Sequence, residues 1–238
     1  MEKVARCPLV AQSQTQRLKR KMRPRQPIRY EDIRSRMIPA TNPIVPAISA
    51  SAGPTPMANR KHLIRVATEA DLQAVAQIHI ASWQDAYKGI IPDALLAGRS
   101  VEGFLSGWRS TFAKHPANIN VAASQVGGIQ GFCCAGPVVD AVRNSSFAFE
   151  IYGLHVSPNS RRQGIGAALL RDAFARARDR ERMNSAIVWT LSDLRLSRTF
   201  YEREGGKVVK SGLWTIGEFA LPEVAYGWTS LHSIQRAD

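Results

Sequence analysis

Apolar positions follow two rhythms along this chain, and neither is sustained before residue 63. Leu63–Val66 has strand character, and Thr68-Glu69-Ala70-Asp71 behind it is a capping-box type of helix start. Leu72, Val75, Ala76, His79, Ile80 and Trp83 then fall on one helical face. Tyr87–Pro92 breaks that helix. Asp93–Phe112 reads as a second helical stretch, interrupted by Gly98, Gly103 and Gly107. Asn120–Ala123 and Ile129–Ala135, either side of Gly127-Gly128, read as an antiparallel hairpin. The next strand begins near Phe147 and runs through Glu150–Val156, with Gly153 as its weak point. A glycine there suggests a bulge or a close backbone approach. Alternation would put Glu150, Tyr152, Leu154 and Val156 on one face. Ile165, Leu169, Ala173 and Ala177, four apart, mark a long helix. Ala186–Leu191 is a continuous apolar run and reads as a buried strand. Leu194–Glu204 is a helix that closes at Gly205-Gly206, and Gly206–Lys210 and Val224–Thr229 complete two more strands. The order is β-α-α-β-β-β-α-β-α-β-β, without an internal repeat.

Charge divides the chain. Residues 1–58 carry 11 Lys and Arg against 3 Asp and Glu, so +8 of the net +13 lies there, with 8 of the 13 prolines. That segment has one aromatic, Tyr30, a basic cluster at Arg17–Arg25 and a Pro/Ala/Ser-rich stretch at Pro39–Pro56. It cannot bury enough apolar surface to offset its ordering entropy, so it is expected to be a disordered arm ahead of one domain at residues 59–238. Three readings compete with an inert tail. It is a nucleic-acid or membrane-surface arm, an organellar presequence, or sequence upstream of a start at Met57. No apolar stretch is long enough to span a membrane. Cys7, Cys133 and Cys134 are too few for a disulfide framework, and Cys133 and Cys134 read as strand packing. The five histidines lack ligand spacing, and His79 reads as a satisfied, half-buried ring. A reducing, cytoplasmic, metal-free protein is the expectation.

The chemistry concentrates between the Glu150–Val156 strand and the long helix. Ser157-Pro158-Asn159-Ser160 is turn chemistry, and Arg161-Arg162-Gln163-Gly164-Ile165-Gly166 leads into the helix. Two glycines let the backbone approach a ligand at a helix N-terminus, where orphan N–H groups and the dipole favour an anion. Two arginines add forked donors. The expectation is a phosphate or pyrophosphate. A P-loop is excluded because no lysine follows these glycines, and a dinucleotide fingerprint fails because Leu169 stands where its third small residue should be.

The run Arg161-x-x-Gly164-x-Gly166, after a strand and before a helix, resembles the Arg/Gln-x-x-Gly-x-Gly/Ala acyl-CoA loop of the GNAT superfamily of N-acetyltransferases. The similarity covers roughly Leu63 to Leu231. Phe200-Tyr201-Glu202 with Gly205 resembles the family's Phe-Tyr-x-x-x-Gly signature, and the ASWQDAYKGIIPD run resembles a sub-group of bacterial small-molecule acetyltransferases. The resemblance implies an α/β (α+β) fold. Its mixed, mostly antiparallel sheet of six or seven strands is flanked by helices and splayed between the fourth and fifth strands. Acetyl-CoA would be the cosubstrate, held by Val156 and by Arg161, Arg162, Gln163, Gly164, Ile165, Gly166 and Ala167. A backbone N–H near Leu154 or Val156 would face the thioester carbonyl. Glu150 would be the base, often acting through water. Its free pKa, about 4.3, would have to be raised by partial burial.

Tyr201 would lie near the thioester sulfur as general acid. A phenol at about 10 transfers its proton uphill to a thiol at about 8.5, so a hydrogen bond that strengthens as thiolate forms is the safer role. The helix–loop–helix would lie over the acceptor, with Trp83, Tyr87 and Trp108 as candidate pocket walls. Two positions depart from the family. Leu194 stands where an Asn commonly binds the pantetheine arm, leaving that bond to Ser197, and Gly206 replaces the usual aromatic. The implied activity is acetyl transfer to a primary amine of a small molecule or peptide, by direct attack in a ternary complex. A non-catalytic acyl-CoA-binding or sensing module is the alternative. Homodimers are common in the family, no membrane partner is expected, and nucleic acid would be met only through the basic arm.

Overall fold

The computed structural model describes residues 62–232, apart from 126, 141–143, 145 and 217–218. The expected arm at residues 1–58 lies outside the described residues. Seven strands form one sheet in the order β1-β2-β3-β4-β5-β7-β6. They are β1 (His62–Val66), β2 (Ile119–Ser124), β3 (Ile129–Pro137), β4 (Phe149–Val156), β5 (Ala186–Leu191), β6 (Lys207–Ile216) and β7 (Phe219–Trp228). Only β4 and β5 run parallel. The helices are α1 (Leu72–Ala86), α2 (Asp93–Ala97), α3 (Val101–Lys114), α4 (Ile165–Asp179) and α5 (Arg195–Arg203). The expected helical stretch at Asp93–Phe112 is therefore two helices. It breaks at Gly98, whereas Gly103 and Gly107 are carried inside α3.

Two cores sandwich the sheet. On one face the α4 stripe of Ile165, Leu169, Ala173 and Ala177 packs with Ala135, Phe149, Ile151, Val188 and Tyr226, all at most 2% exposed. On the other face α1, α2 and α3 supply Leu72, Val75, Trp83, Leu96, Phe104 and Trp108 against Val121, Phe132 and Cys134. Burying each of the leucine, isoleucine, valine and phenylalanine side chains among these contributes about 1.5–3 kcal/mol before entropy is counted. Cys133 and Cys134 split between the two faces, as packing residues do. Burial pushes both thiols up, that of Cys134 to about 12. The start of α1 is pinned to β1: Arg65 donates to both Asp71 oxygens at 2.6 and 2.9 Å, and Thr68 N–H donates to Asp71 at 2.7 Å. This clamp holds the Asp71 carboxyl down at about 2.

Two expectations are corrected. The last hairpin is far longer than Gly206–Lys210 with Val224–Thr229, because Gly212 and Pro222 look like breaks yet sit inside paired strands. The alternation in β4 also fails. Cys134 pairs with Gly153 but Ala135 pairs with Ile151, so Tyr152 is an extra residue and a bulge. Behind it the side-chain phase inverts. Leu154 and Val156 join the α4-side core with Phe149 and Ile151, while Tyr152 packs into the opposite core.

Gly205 ends α5 at φ +82°, as a helix-terminating glycine should. A Cβ on Gly206 would lie 2.8 Å from the Trp228 ring and 2.9 Å from Tyr201 O. That indole cannot yield, since its Nε1–H donates to Glu204 O at 2.8 Å. Trp228 therefore occupies the space around this position that a side chain on residue 206 would need. Gly206→Ala is expected to lower stability by about 1–3 kcal/mol through overpacking. Urea unfolding checks this, and an unchanged midpoint contradicts it.

Candidate acetyl-transfer site

β4 and β5 are paired only over Phe149–Ile151 with Ala186–Val188. Beyond Ile151 they part, and a cavity of about 1180 Å³ opens between them, bounded by the α4 N-terminus, α5 and the end of α1. Ser157 N–H donates to Gln130 O at 2.8 Å across β3. Backbone groups alternate along a strand, so the N–H groups of Leu154 and Val156 point the other way, into the gap. Ser82 on α1 donates to Val156 O at 3.4 Å, marking the same open side.

The basic turn lines one end. Gly164 adopts φ +80° and Arg162 φ +62°, so two left-handed residues curl the backbone into α4. No side chain caps that helix, and its first-turn N–H groups belong to residues on the cavity wall. Ile165 is 1% exposed with its side chain in the core, leaving only its backbone for a ligand. Gly166 sits where a Cβ would come 3.4 Å from the Phe200 ring. Arg162 and Ala167 also line the wall, whereas Gln163 is exposed and does not. Arg161 is not a free donor: its guanidinium pairs with Asp85 on α1. Leu194 and Ser197 flank the cavity at the start of α5, with Leu196 exposed beside them.

Tyr201 is 6% exposed and lines the wall among Phe200, Tyr226 and Trp228. Burial pushes its hydroxyl well above the ordinary tyrosine range, and that hydroxyl has no hydrogen-bond partner among the described residues. Glu150 is half-buried on the α1 side of the sheet and accepts from Asn144 Nδ2 at 2.8 Å. Trp83 and Tyr87 both reach the wall, with Tyr87 stacked near Trp214 and its hydroxyl pushed up to about 12 by burial. Trp108 does not. It lies in the core, donating Nε1–H to His79 Nδ1 at 3.2 Å. His79 is only 1% exposed rather than half-buried, and its Nε2 is unpartnered. Burial keeps it neutral, and likewise its neighbour His155, whose value falls to about 4.

Sequence reasoning missed Asn144, His155, Trp189, Trp214 and Glu223, all on or beside this wall. Asn144 looked like one more residue of a polar loop, and Trp189 like packing in a buried strand. Only His155, a titratable residue in the key strand, carried a signal that could have been used.

Residues 72–206 match the Acetyltransferase (GNAT) family, and the chain belongs to that family. It is 27% identical over 172 residues to the uncharacterized N-acetyltransferase YuaI of Bacillus subtilis (strain 168), covering 72% of this chain and 95% of that one. Among solved structures it resembles yncA from Salmonella typhimurium, solved with its cofactor acetyl-CoA (TM-score 0.54, 19% identity, 75% of this chain and 99% of that one). It also resembles the paia N-acetyltransferase of Thermoplasma acidophilum in complex with coenzyme A (TM-score 0.52, 18% identity, 69% and 98%). At such identities the structural likeness is one of fold, and the splayed β4–β5 pair is part of it. No described helix is long and apolar enough to cross a membrane.

Proposed function

We propose that this GNAT protein transfers an acetyl group from acetyl-CoA to a primary amine of a small molecule or peptide, by direct attack in a ternary complex. The observation that carries the reading is the unpaired edge of β4 facing an uncapped helix N-terminus across one cavity. An extended pantetheine arm needs the first, and a pyrophosphate needs the second. The relatives solved with acetyl-CoA or coenzyme A support the same cosubstrate.

In this reading the α4 first turn and Arg162 hold the pyrophosphate, and Leu154 and Val156 N–H groups stabilise charge developing on the thioester carbonyl oxygen. Glu150 accepts, directly or through water, the proton that the amine must lose before or as it attacks. The nitrogen then forms the amide bond, the carbon–sulfur bond breaks, and the thiolate accepts a hydrogen bond from Tyr201. A phenol held protonated by burial is suited to donate there. Trp83, Tyr87 and Trp214 would wall the acceptor end.

The test uses the full chain, with calorimetric titration of acetyl-CoA and coenzyme A and with thiol release across a panel of small-molecule and peptide amines. Gly166→Val, whose branched side chain meets Phe200, is expected to weaken coenzyme A binding about tenfold or more, or about 1.4 kcal/mol. Unchanged affinity removes the turn from the site. Tyr201→Phe should lower kcat about tenfold or more while coenzyme A affinity stays within about twofold. Glu150→Gln should lower kcat about a hundredfold, and full turnover would exclude the base role. Tight binding without transfer to any amine would favour the sensing module.

A further inference from the structure

Between β4 and β5, where the strands begin to part, one side chain spans the gap. Asn144 is 0% exposed. Its own backbone is tied at both ends, with N–H to Asp140 O and C=O from Phe147 N–H, each at 2.9 Å. Its side chain accepts from Trp189 Nε1–H on β5 at 2.9 Å and donates to Glu150 Oε2 on β4 at 2.8 Å. The chemistry of the three groups fixes the direction of this chain. An indole N–H can only donate, so the amide oxygen must face Trp189. The amide NH₂ is then turned onto Glu150, which must accept. The chain has one sense, and it ends on a carboxylate at the cavity wall.

We propose that Asn144 is a positioning residue for acetyl transfer, which, oriented by Trp189, holds Glu150 ionised and aimed into the acceptor end of the cavity. The inference rests on the reading of Glu150 as the proton acceptor. Partial burial raises a carboxylate's pKa and so its basicity. A hydrogen bond donated to the charged form limits that rise so that the group stays ionised at neutral pH, and a fixed rotamer spares the carboxylate a search at each turnover. Among the described residues of the wall, Tyr152 on its own strand, Asp140 in the preceding loop, Glu223 on β7 and Tyr87 just past α1 join Glu150, with His155 on β4 held neutral by burial. Apart from the histidine, these are acidic groups. The Asn144 amide donates to Glu150 among them, and a donor beside a carboxylate favours its charged form. The arginines of the wall, Arg161, Arg162, Arg195 and Arg203, belong to the basic turn and to α5.

Asn144→Asp keeps the shape and the acceptor for Trp189 while replacing the donor to Glu150 by a like charge, and Asn144→Ala removes the donor without adding charge, so the two are read together. The carboxyl-carbon resonance of Glu150, assigned by its loss in Glu150→Gln, is followed against pH in the full chain, a measurement that needs no acceptor. The midpoint is expected to rise by roughly one unit or more in Asn144→Asp and in Asn144→Ala, and by less in Trp189→Phe. With an amine found by the panel, kcat should fall about tenfold or more while coenzyme A affinity stays within about twofold. The fall should vanish when Asn144→Asp is made in the Glu150→Gln background. An unchanged midpoint, or an equal loss of kcat in that background, overturns the proposal and leaves Asn144 a structural residue. Full turnover by Glu150→Gln alone overturns instead the base reading beneath it, whatever the midpoint does.

Discussion

A strand in the middle of a sheet that stops pairing must give its N–H and C=O groups to something else. β4 meets this constraint after Ile151, where β5 turns away while β3 stays paired on the other edge. The Tyr152 bulge is how the chain reaches that state without losing β3. It adds twist, bends the strand and shifts the following residues by one step. The opening thus lies between two packed layers, where the freed backbone groups of β4 face a cavity in place of a neighbouring strand.

Both cores are needed to hold the strands apart. The α4 stripe presses on β4 from one side and the aromatic cluster around His79 presses from the other. Arg176 braces the α4 side by donating to Asn120 Oδ1 at 2.9 Å and Ala135 O at 2.7 Å. The buried histidine pair fits the same logic. At neutral pH both rings are uncharged, so they fill space as aromatics do and leave charge at the wall to carboxylates and arginines.

Elements with a strong period were legible from residues alone. The α4 and α1 stripes, the Gly127-Gly128 turn, β5 and the Gly205 stop all follow from spacing or from a backbone angle only glycine takes cheaply. The glycine-bearing turn ahead of α4 was legible for the same reason. What escaped has a common cause in long-range contact. A bulge is a property of two strands, so one strand's alternation cannot reveal that Leu154 and Val156 change faces. Nothing local in Arg161 shows that Asp85, 76 residues away, takes its guanidinium. Asn144 gains its meaning only when Trp189 and Glu150 are brought to either side of it.

That Arg161–Asp85 ion pair joins the basic turn to the C-terminal end of α1, where Trp83 and, just past the helix, Tyr87 also reach the cavity wall. The pair therefore links the segment that shapes one side of the cavity to the turn that shapes another. A change that moves the end of α1 is thereby felt, through Asp85, at the entrance to α4.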